Sequence, residues 1–399
     1  MHVLIIPPGH YATKKAPLGA IFQRHQAQAL KHGIEKIGII SAGFVPFKMT
    51  FSSYPYPAYE KDDSINIYRC YKKMFVPGRI ALRLFWPYLI NLYIKMFDNY
   101  VRVHGLPDII HAHNCLYAGV AALKLKNKYH VPYLITEHSS AYARGLISKQ
   151  EARLTKNVLI NANAITVVSS SIGNTLENMY GPVIHVDQAI FNILDGRFEK
   201  ESRFPTDVQS DPGVFTFLSI GGLDANKNHI DLLKAFALKF RGNRKAKLRI
   251  GGDGPLRRYL EKQAQELGLY EQVDFLGTLN RDDVIREIHN CDVFVLPSII
   301  ETFGVVLIEA MALGKPAIST KCGGPEDIVN ENNGILVPAK DISALASALE
   351  YIHINISKYD ANLIRNNCLS RFGKQPFIKR LTNIYAHIQN EEKMKSQSR

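Results

Sequence analysis

Cys291-Asp-Val-Phe-Val-Leu-Pro-Ser-Ile-Ile-Glu-Thr-Phe-Gly-Val-Val-Leu-Ile-Glu-Ala-Met-Ala-Leu-Gly314 decides how the rest of the chain is read. The apolar run Val293 to Leu296 is cut by Pro297. A short polar loop carrying Glu301 and Gly304 then feeds a periodic apolar segment that stops at Gly314. That pattern is buried strand, loop, helix. In open α/β sheets ligands bind beyond the carboxyl ends of the strands, where the next helix offers free backbone N–H groups to an anion. Glu301 stands before this helix and Glu309 lies inside it, so one carboxylate can reach the far end of a bound ligand and the other its near end.

Working outward, the same alternation repeats on both sides. Upstream lie strands at 216–220, 246–250 and 273–276 with helices at 229–240, 256–267 and 281–289, and downstream lie strands at 317–320 and 334–337. The first half gives strands at 2–6, 37–40, 109–113, 133–136 and 163–169, with helices at 21–31, 118–126 and 170–179. Strand, polar tip and helix in repetition is the doubly wound α/β pattern, and it places His111, His113 and His138 along one rim. The Pro/Gly loop after the first strand runs to Gly19, where a sugar or phosphate can approach the backbone. The alternative is a surface loop with incidental glycines. Residues 196–213, rich in charge, Pro, Asp, Ser and Gly, read as an inter-domain linker, and a C-terminal helix is expected over about 375–390, ending in a charged tail.

The chain has 399 residues, more than one core comfortably serves. Its five cysteines form no CxxC pair, which points to a reducing compartment. There is no 18-residue uncharged apolar span, and the first residues enter a strand at once, so neither a signal peptide nor a spanning helix is expected. The formal charge of +13 is uneven: residues 1–200 hold 23 Lys/Arg against 12 Asp/Glu. A positive field suits an anionic membrane, an anionic acceptor or nucleic acid, but no nucleic-acid reading motif is present. Residues 68–100 concentrate nine aromatics and six Lys/Arg against the single acid Asp98. They suit an anionic membrane surface or a greasy acceptor site. The alternative is a pair of packed helices turning at Pro77-Gly78, with the charges in water.

A dinucleotide fingerprint and a phosphate-binding P-loop are both missing: Gly251-Gly-Asp-Gly254 is followed by Pro-Leu-Arg. There is no G-x-S-x-G and no H-E-x-x-H. His111-Ala-His113 is read with its two rings on opposite faces, and no D-x-D occurs, so no metal site is expected.

The segment Glu301-Thr-Phe-Gly-Val-Val-Leu-Ile-Glu309 with Ala310-Met-Ala-Leu-Gly-Lys-Pro316 resembles the Glu-seven-residues-Glu motif of the family 4 retaining glycosyltransferases. Supporting matches follow in order: Gly221 to Lys227 with Leu232-Leu-Lys-Ala235, Gly252-Asp-Gly-Pro255, Phe275-Leu-Gly277, Cys322-Gly-Gly-Pro-Glu326 and Asn333-Gly-Ile-Leu-Val337. The resemblance is specific over about 215–340 and loose in the first half. It implies the GT-B type of α/β fold, two facing Rossmann-like domains with a cleft between them and a C-terminal helix able to cross back to the first. Residues 1–195 would bind the acceptor, 214–372 the nucleotide sugar, and 373–399 would form the C-terminal helix and tail.

By likeness, Glu309 would accept hydrogen bonds from ribose hydroxyls and Glu301 would touch hydroxyls of the transferred sugar. Backbone N–H groups at Phe303, Gly304 and Val305 would hold donor oxygens, and Lys227 would neutralise the leaving diphosphate. His138 matches the family's site histidine near the donor sugar, and the adjacent Glu137 could reach the acceptor. The family's Gly-Arg-Leu is Gly221-Gly222-Leu223 here, so the arginine that partners Lys227 is absent. Asn192-Ile-Leu-Asp195 likewise departs from the family's Pro-Asn-Gly-Val-Asp hinge. The implied reaction is front-face transfer with retention, in which domain closure excludes water and no second carboxylate serves as nucleophile.

The implied donor is a UDP-sugar in preference to GDP-mannose, as substrate, with no metal and no cofactor. The implied acceptor is a glycan or polyprenyl-linked glycan of the cell envelope or an exopolysaccharide. The implied location is the cytoplasm, at the cytoplasmic face of the membrane. The alternatives are a nucleotide-sugar epimerase and a catalytically silent nucleotide-sugar-binding subunit.

Overall fold

The computed structural model describes residues 1–11, 21–46, 58–75, 78–200 and 213–397. The chain forms two compact units: Met1–Ile193 with Gln375–Arg399, and Leu194–Lys374.

The first unit contains β1 (His2–Ile6), α1 (Ile21–Leu30), β2 (Lys36–Pro46), β3 (Ala58–Asp62), β4 (Ile65–Met74), α2 (Gly78–His104) and β5 (Ile109–His113). A single π-type turn, Cys115–Gly119, leads into α3 (Val120–Tyr129). Then come β6 (Tyr133–Glu137), α4 (Lys149–Ile160), β7 (Ala164–Val167), α5 (Ser170–Tyr180) and β8 (Gln188–Ala189). The strands form one sheet in the order β3-β4-β2-β1-β5-β6-β7-β8, parallel except for β3 against β4. Near-continuous apolar runs such as Val3-Leu-Ile-Ile6 are what a sheet covered on both faces demands. The helix on one face is fitted to its strand: a Cβ at Gly38 would meet the Tyr100 hydroxyl at 2.1 Å, and that hydroxyl bonds His2 Nε2 at 2.6 Å.

The second unit contains α6 (Gly196–Lys200), β9 (Phe215–Ile220), α7 (His229–Phe240), β10 (Ala246–Gly251), α8 (Arg257–Glu266), β11 (Val273–Gly277), α9 (Arg281–Asn290), β12 (Val293–Leu296), α10 (Val305–Ala312), β13 (Ala317–Lys321) and β14 (Gly334–Pro338). It ends with α11 (Ile342–Ile354) and α12 (Ala361–Phe372). All six strands are parallel, in the order β11-β10-β9-β12-β13-β14. The order reverses between β9 and β12, so the loops leaving these strands flank the crevice where such sheets bind ligands. In the first unit the reversal lies between β1 and β5.

The last helix, α13 (Lys374–Gln397), belongs to the first unit. Phe377, Leu381, Tyr385 and Ile388 pack into the core that holds Val3, Ile39 and Leu134. Burying each such side chain stabilises that unit by roughly 1.5–3 kcal/mol. The helix runs on to Gln397, past the expected end near 390.

Residues 68–100 are not the pair of packed helices that the alternative reading offered. Their first part lies in strand β4, where Tyr68, Cys70 and Tyr71 are buried and Arg69 lies buried beside Glu60 at 3.2 Å instead of facing water. Arg69, Lys72 and Lys73 sit on this strand of the sheet, and Arg79, Arg83 and Lys95 sit on α2. The second part is helical and is kinked at Phe85, directly before Trp86-Pro87, as a proline requires. Pro77 and Gly19 lie outside the described residues, as do 201–212 of the expected linker. The linker's first residues form α6. No described helix is long and apolar enough to cross a membrane, and none of the five cysteines is in a disulfide.

Candidate active site

In the second unit the loops after β9, β12 and β13 are tied together by their backbones. Ile299 N–H donates to Asn226 O at 2.8 Å, Asn226 Nδ2 donates to Ile300 O at 2.9 Å, and Glu301 N–H donates to Cys322 O at 2.9 Å. Gly324 N–H returns a bond to Glu301 O at 2.7 Å, and a Cβ at Gly324 would lie 2.2 Å from Phe303 Cα, so only glycine permits that approach. Asp224 closes the first loop by accepting from Asn226 N–H (2.8 Å) and Lys227 N–H (3.1 Å), the self-bonded turn that aspartate favours. Lys227 Nζ is thereby brought 2.5 Å from Glu301 Oε2. Gly304, at φ 97°, caps α10 in a conformation suited to glycine. The first N–H groups of α10 have no carbonyl within the helix, and they start at the ligand end of the sheet.

Glu309 lies in α10 and is 1% exposed. Its Oε1 meets Arg281 at 2.5 Å, and Arg281 also meets Asp195 at 3.2 Å, with Arg197 on Asp195 at 3.0 Å. Its Oε2 is buried without a hydrogen-bond partner. Burial pushes the Glu309 carboxyl up from its ordinary range, and the Arg281 guanidinium pulls it back. A buried carboxylate oxygen left without a donor is costly, and a ligand hydroxyl would supply the missing bond.

Arg281 and its link through Asp195 were not anticipated from sequence. The usable signal was Glu309 itself, because a carboxylate inside an Ala/Leu/Met helix needs a cation. No local pattern singles out which basic residue answers it.

Gly222 stands where the resemblance expects arginine, and the structure leaves room for one. A Cβ there would meet only Asp224 Oδ2, at 3.4 Å. Arg257, at the start of α8, is engaged with Glu261 at 2.9 Å and Asp253 at 3.8 Å. Gly222→Arg is therefore expected to fold with an unchanged melting temperature and to tighten nucleoside-diphosphate binding about tenfold, read by calorimetry. Weaker or equal binding would show that the site is not built around a diphosphate.

In the first unit three histidines meet at the ends of β5 and β6. His111 and His113 share a face, with ring centroids 4.2 Å apart. The expectation of opposite faces is thus corrected, since residues two apart on a strand point the same way. His111 is held by Tyr385 Oη and Thr136 Oγ1, each at 2.7 Å, and His113 Nδ1 meets His138 Nε2 at 2.8 Å. Burial lowers His138 to about 4 and His111 to about 3, so both are neutral near pH 7. Among the described residues no group of three or more His, Cys, Asp or Glu could hold a metal ion.

Glu137 could reach an acceptor only by facing outward, and adjacent residues on a strand point opposite ways. It is fully buried, and its oxygens accept from the backbone N–H groups of Cys115 (2.8 Å), His138 (2.9 Å) and Ser139 (2.8 Å). It holds the strand ends in place and so orients His138.

Because these folded-state histidine values lie below the unfolded value near 6.5, the unfolded chain takes up protons first on acidification. Their stabilisation is complete above pH 6.5 and is lost as the pH falls toward 4. Thermal melts should show a falling melting temperature across that window, with a shallower slope in His138→Asn.

Comparison with known proteins agrees with this geometry. The model described as "Glycosyl transferases group 1" matches residues 200–367, and the "Glycosyltransferase Family 4" model matches residues 51–186. Glycogen synthase of Mycobacterium tuberculosis is 28% identical over 254 residues, 62% of this chain and 60% of that protein, so the match spans less than two thirds of that relative's length. HepE of Anabaena, solved in complex with UDP, superposes with a TM-score of 0.73 at 18% identity, covering 97% of this chain and all of that one. A lipopolysaccharide outer core galactosyltransferase, WaaB, superposes at 0.68 and 18% identity, covering 96% and 99%. The fold is the GT-B type, two Rossmann-like α/β domains with parallel sheets. Residues 51–186 thus form a glycosyltransferase family 4 domain and residues 200–367 a group 1 glycosyl transferase domain.

Proposed function

We propose that this glycosyltransferase moves a sugar from a UDP-sugar, with retention of anomeric configuration, to a lipid-linked glycan of the cell envelope or an exopolysaccharide. The observation that carries the donor reading is the buried, partnerless Glu309 Oε2. It stands on the helix that leaves the β12 side of the switch point, and a ribose hydroxyl would satisfy it. Glu301 would bond hydroxyls of the transferred sugar, and the backbone N–H groups of Phe303, Gly304 and Val305 would hold donor oxygens. Lys227 would leave its ion pair with Glu301 to meet the leaving diphosphate.

Both carboxylates would thus be taken up by donor hydroxyls, which leaves neither as a nucleophile. The anomeric C–O bond to phosphate would break, the bond to the acceptor oxygen would form on the same face, and the acceptor proton would pass to the departing phosphate oxygen. His138, neutral and held by His113, would orient the sugar. No step calls for a metal or cofactor.

The lipid-linked acceptor is supported by the exposed Phe75, Leu84, Phe85 and Tyr88, with Lys72 4.8 Å from the Tyr88 ring. This surface suits the anionic cytoplasmic face of a membrane. The name of the WaaB neighbour points to envelope glycans as well. Incubation with a panel of nucleotide sugars and lipid extract tests the reading. Labelled lipid product would support it. A modified free sugar would indicate an epimerase, and nucleotide binding without turnover would indicate a silent subunit.

A further inference from the structure

The second unit holds a cavity of about 610 Å³, the size of a small-molecule site, that the transfer reaction does not use. It lies at the amino ends of β9, β10, β12 and β13, where Phe215, Lys245, Asp292 and Lys315 are among the lining residues. Asn290, at the end of α9, and His353, near the end of α11, complete that side of its wall. The strands are parallel, so the loops carrying Lys227 and Glu301 leave their opposite ends. For the four residues of β12 the separation is roughly 13 Å of strand.

Among the described residues that line the cavity only Asp292 is acidic. Its Oδ2 accepts the Thr216 N–H at 2.7 Å. Burial pushes its carboxyl up, while that N–H and Lys315 pull it back. Lys315 thus answers the acid, and the exposed Lys245 is positive charge in excess. Asn290 Oδ1 and His353 Nδ1 are buried with no hydrogen-bond partner among the described residues. An amide oxygen can only accept, so it calls for a hydroxyl or N–H from outside the chain. The His353 ring stands edge-on to Phe215 (centroids 4.5 Å apart, planes at 90°) and to Phe240 (5.3 Å, 86°), and this packing holds its nitrogen where it is.

We propose that this cavity is a second ligand site, for a hexose phosphate, with sugar hydroxyls on Asn290 and His353, the sugar ring against Phe215, and the phosphate drawn to Lys245 and Lys315. The proposal goes beyond the transferase reading and does not depend on it, because no residue assigned to the donor lines this cavity. A hexose phosphate here and a nucleotide at α10 occupy opposite ends of the same strands, so the two bind together.

The full chain is titrated calorimetrically with glucose, galactose and mannose 6-phosphates in excess UDP, which keeps them from the donor loops. At least one of the three is expected to bind at one per chain, with glucose and inorganic phosphate at least about tenfold weaker, since each supplies only half of the contacts. Lys245→Glu, at an exposed position, should weaken binding at least about tenfold. His353→Phe, which keeps a ring against Phe215 and Phe240 but removes the nitrogen, should weaken it about tenfold; matched melting temperatures exclude misfolding. No saturable binding of any of the three, equal binding in either variant, equal binding of inorganic phosphate, or binding that UDP abolishes would overturn the assignment. Titration with UDP alone tests the donor reading, so the two can fail independently.

Discussion

Glu309→Gln is expected to lower kcat/KM for the donor on the order of 100-fold, almost entirely through a higher KM. The carboxylate is fully buried, one oxygen bound to Arg281 and the other waiting for a donor. Losing a hydrogen bond between a ligand hydroxyl and a charged group costs roughly 1.5–3 kcal/mol. A ribose contact is made equally in the ground state and the transition state, and losing it is a loss of uniform binding. The melting temperature should fall only modestly, because Arg281 keeps Asp195 at 3.2 Å. Steady-state kinetics with calorimetry of UDP binding check this; a fall in kcat at unchanged donor affinity would move Glu309 from binding to chemistry.

Lys227→Ala is expected to do the reverse. Negative charge grows on the diphosphate only as the glycosidic bond breaks, so a cation placed there acts mainly in the transition state. A loss of about 100- to 1,000-fold in kcat, with a much smaller change in KM, is the expected result. Gly222 stands where the resemblance expects an arginine to share this work, which would raise the weight on Lys227. Its ion pair with Glu301 is partly exposed and contributes little to folding, on the order of 0–1 kcal/mol. The melting temperature should therefore barely move. A large drop in melting temperature with kcat preserved would make the lysine a structural tether.

Much of the second unit is readable from sequence because its parallel strands are short apolar runs, each bounded by a Gly or Pro loop and followed by a periodic helix. Cys291 to Gly314 is the plainest case, and β12, its loop and α10 lie where that pattern puts them. The first unit is harder. Strand β4 carries Arg69, Lys72 and Lys73 among aromatics, a composition equally suited to a helix face, and only the pairing with β2 and β3 decides it. Pairwise contacts across the fold are also invisible in one dimension: Arg281 reaching Glu309, Tyr385 of the last helix reaching His111, and Glu137 turning inward to bond three backbone N–H groups. The His111/His113 error is of another kind, since the two-residue period of a strand already puts both rings on one face.

A structure of the full chain with an intact UDP-sugar tests the central claim most directly. The account requires the ribose on Glu309 Oε2, the sugar hydroxyls on Glu301, the diphosphate at the N–H groups of Phe303 to Val305, and Lys227 Nζ moved from Glu301 to a phosphate oxygen. A nucleotide bound away from α10, or a Lys227–Glu301 pair left intact beside a bound donor, would contradict it.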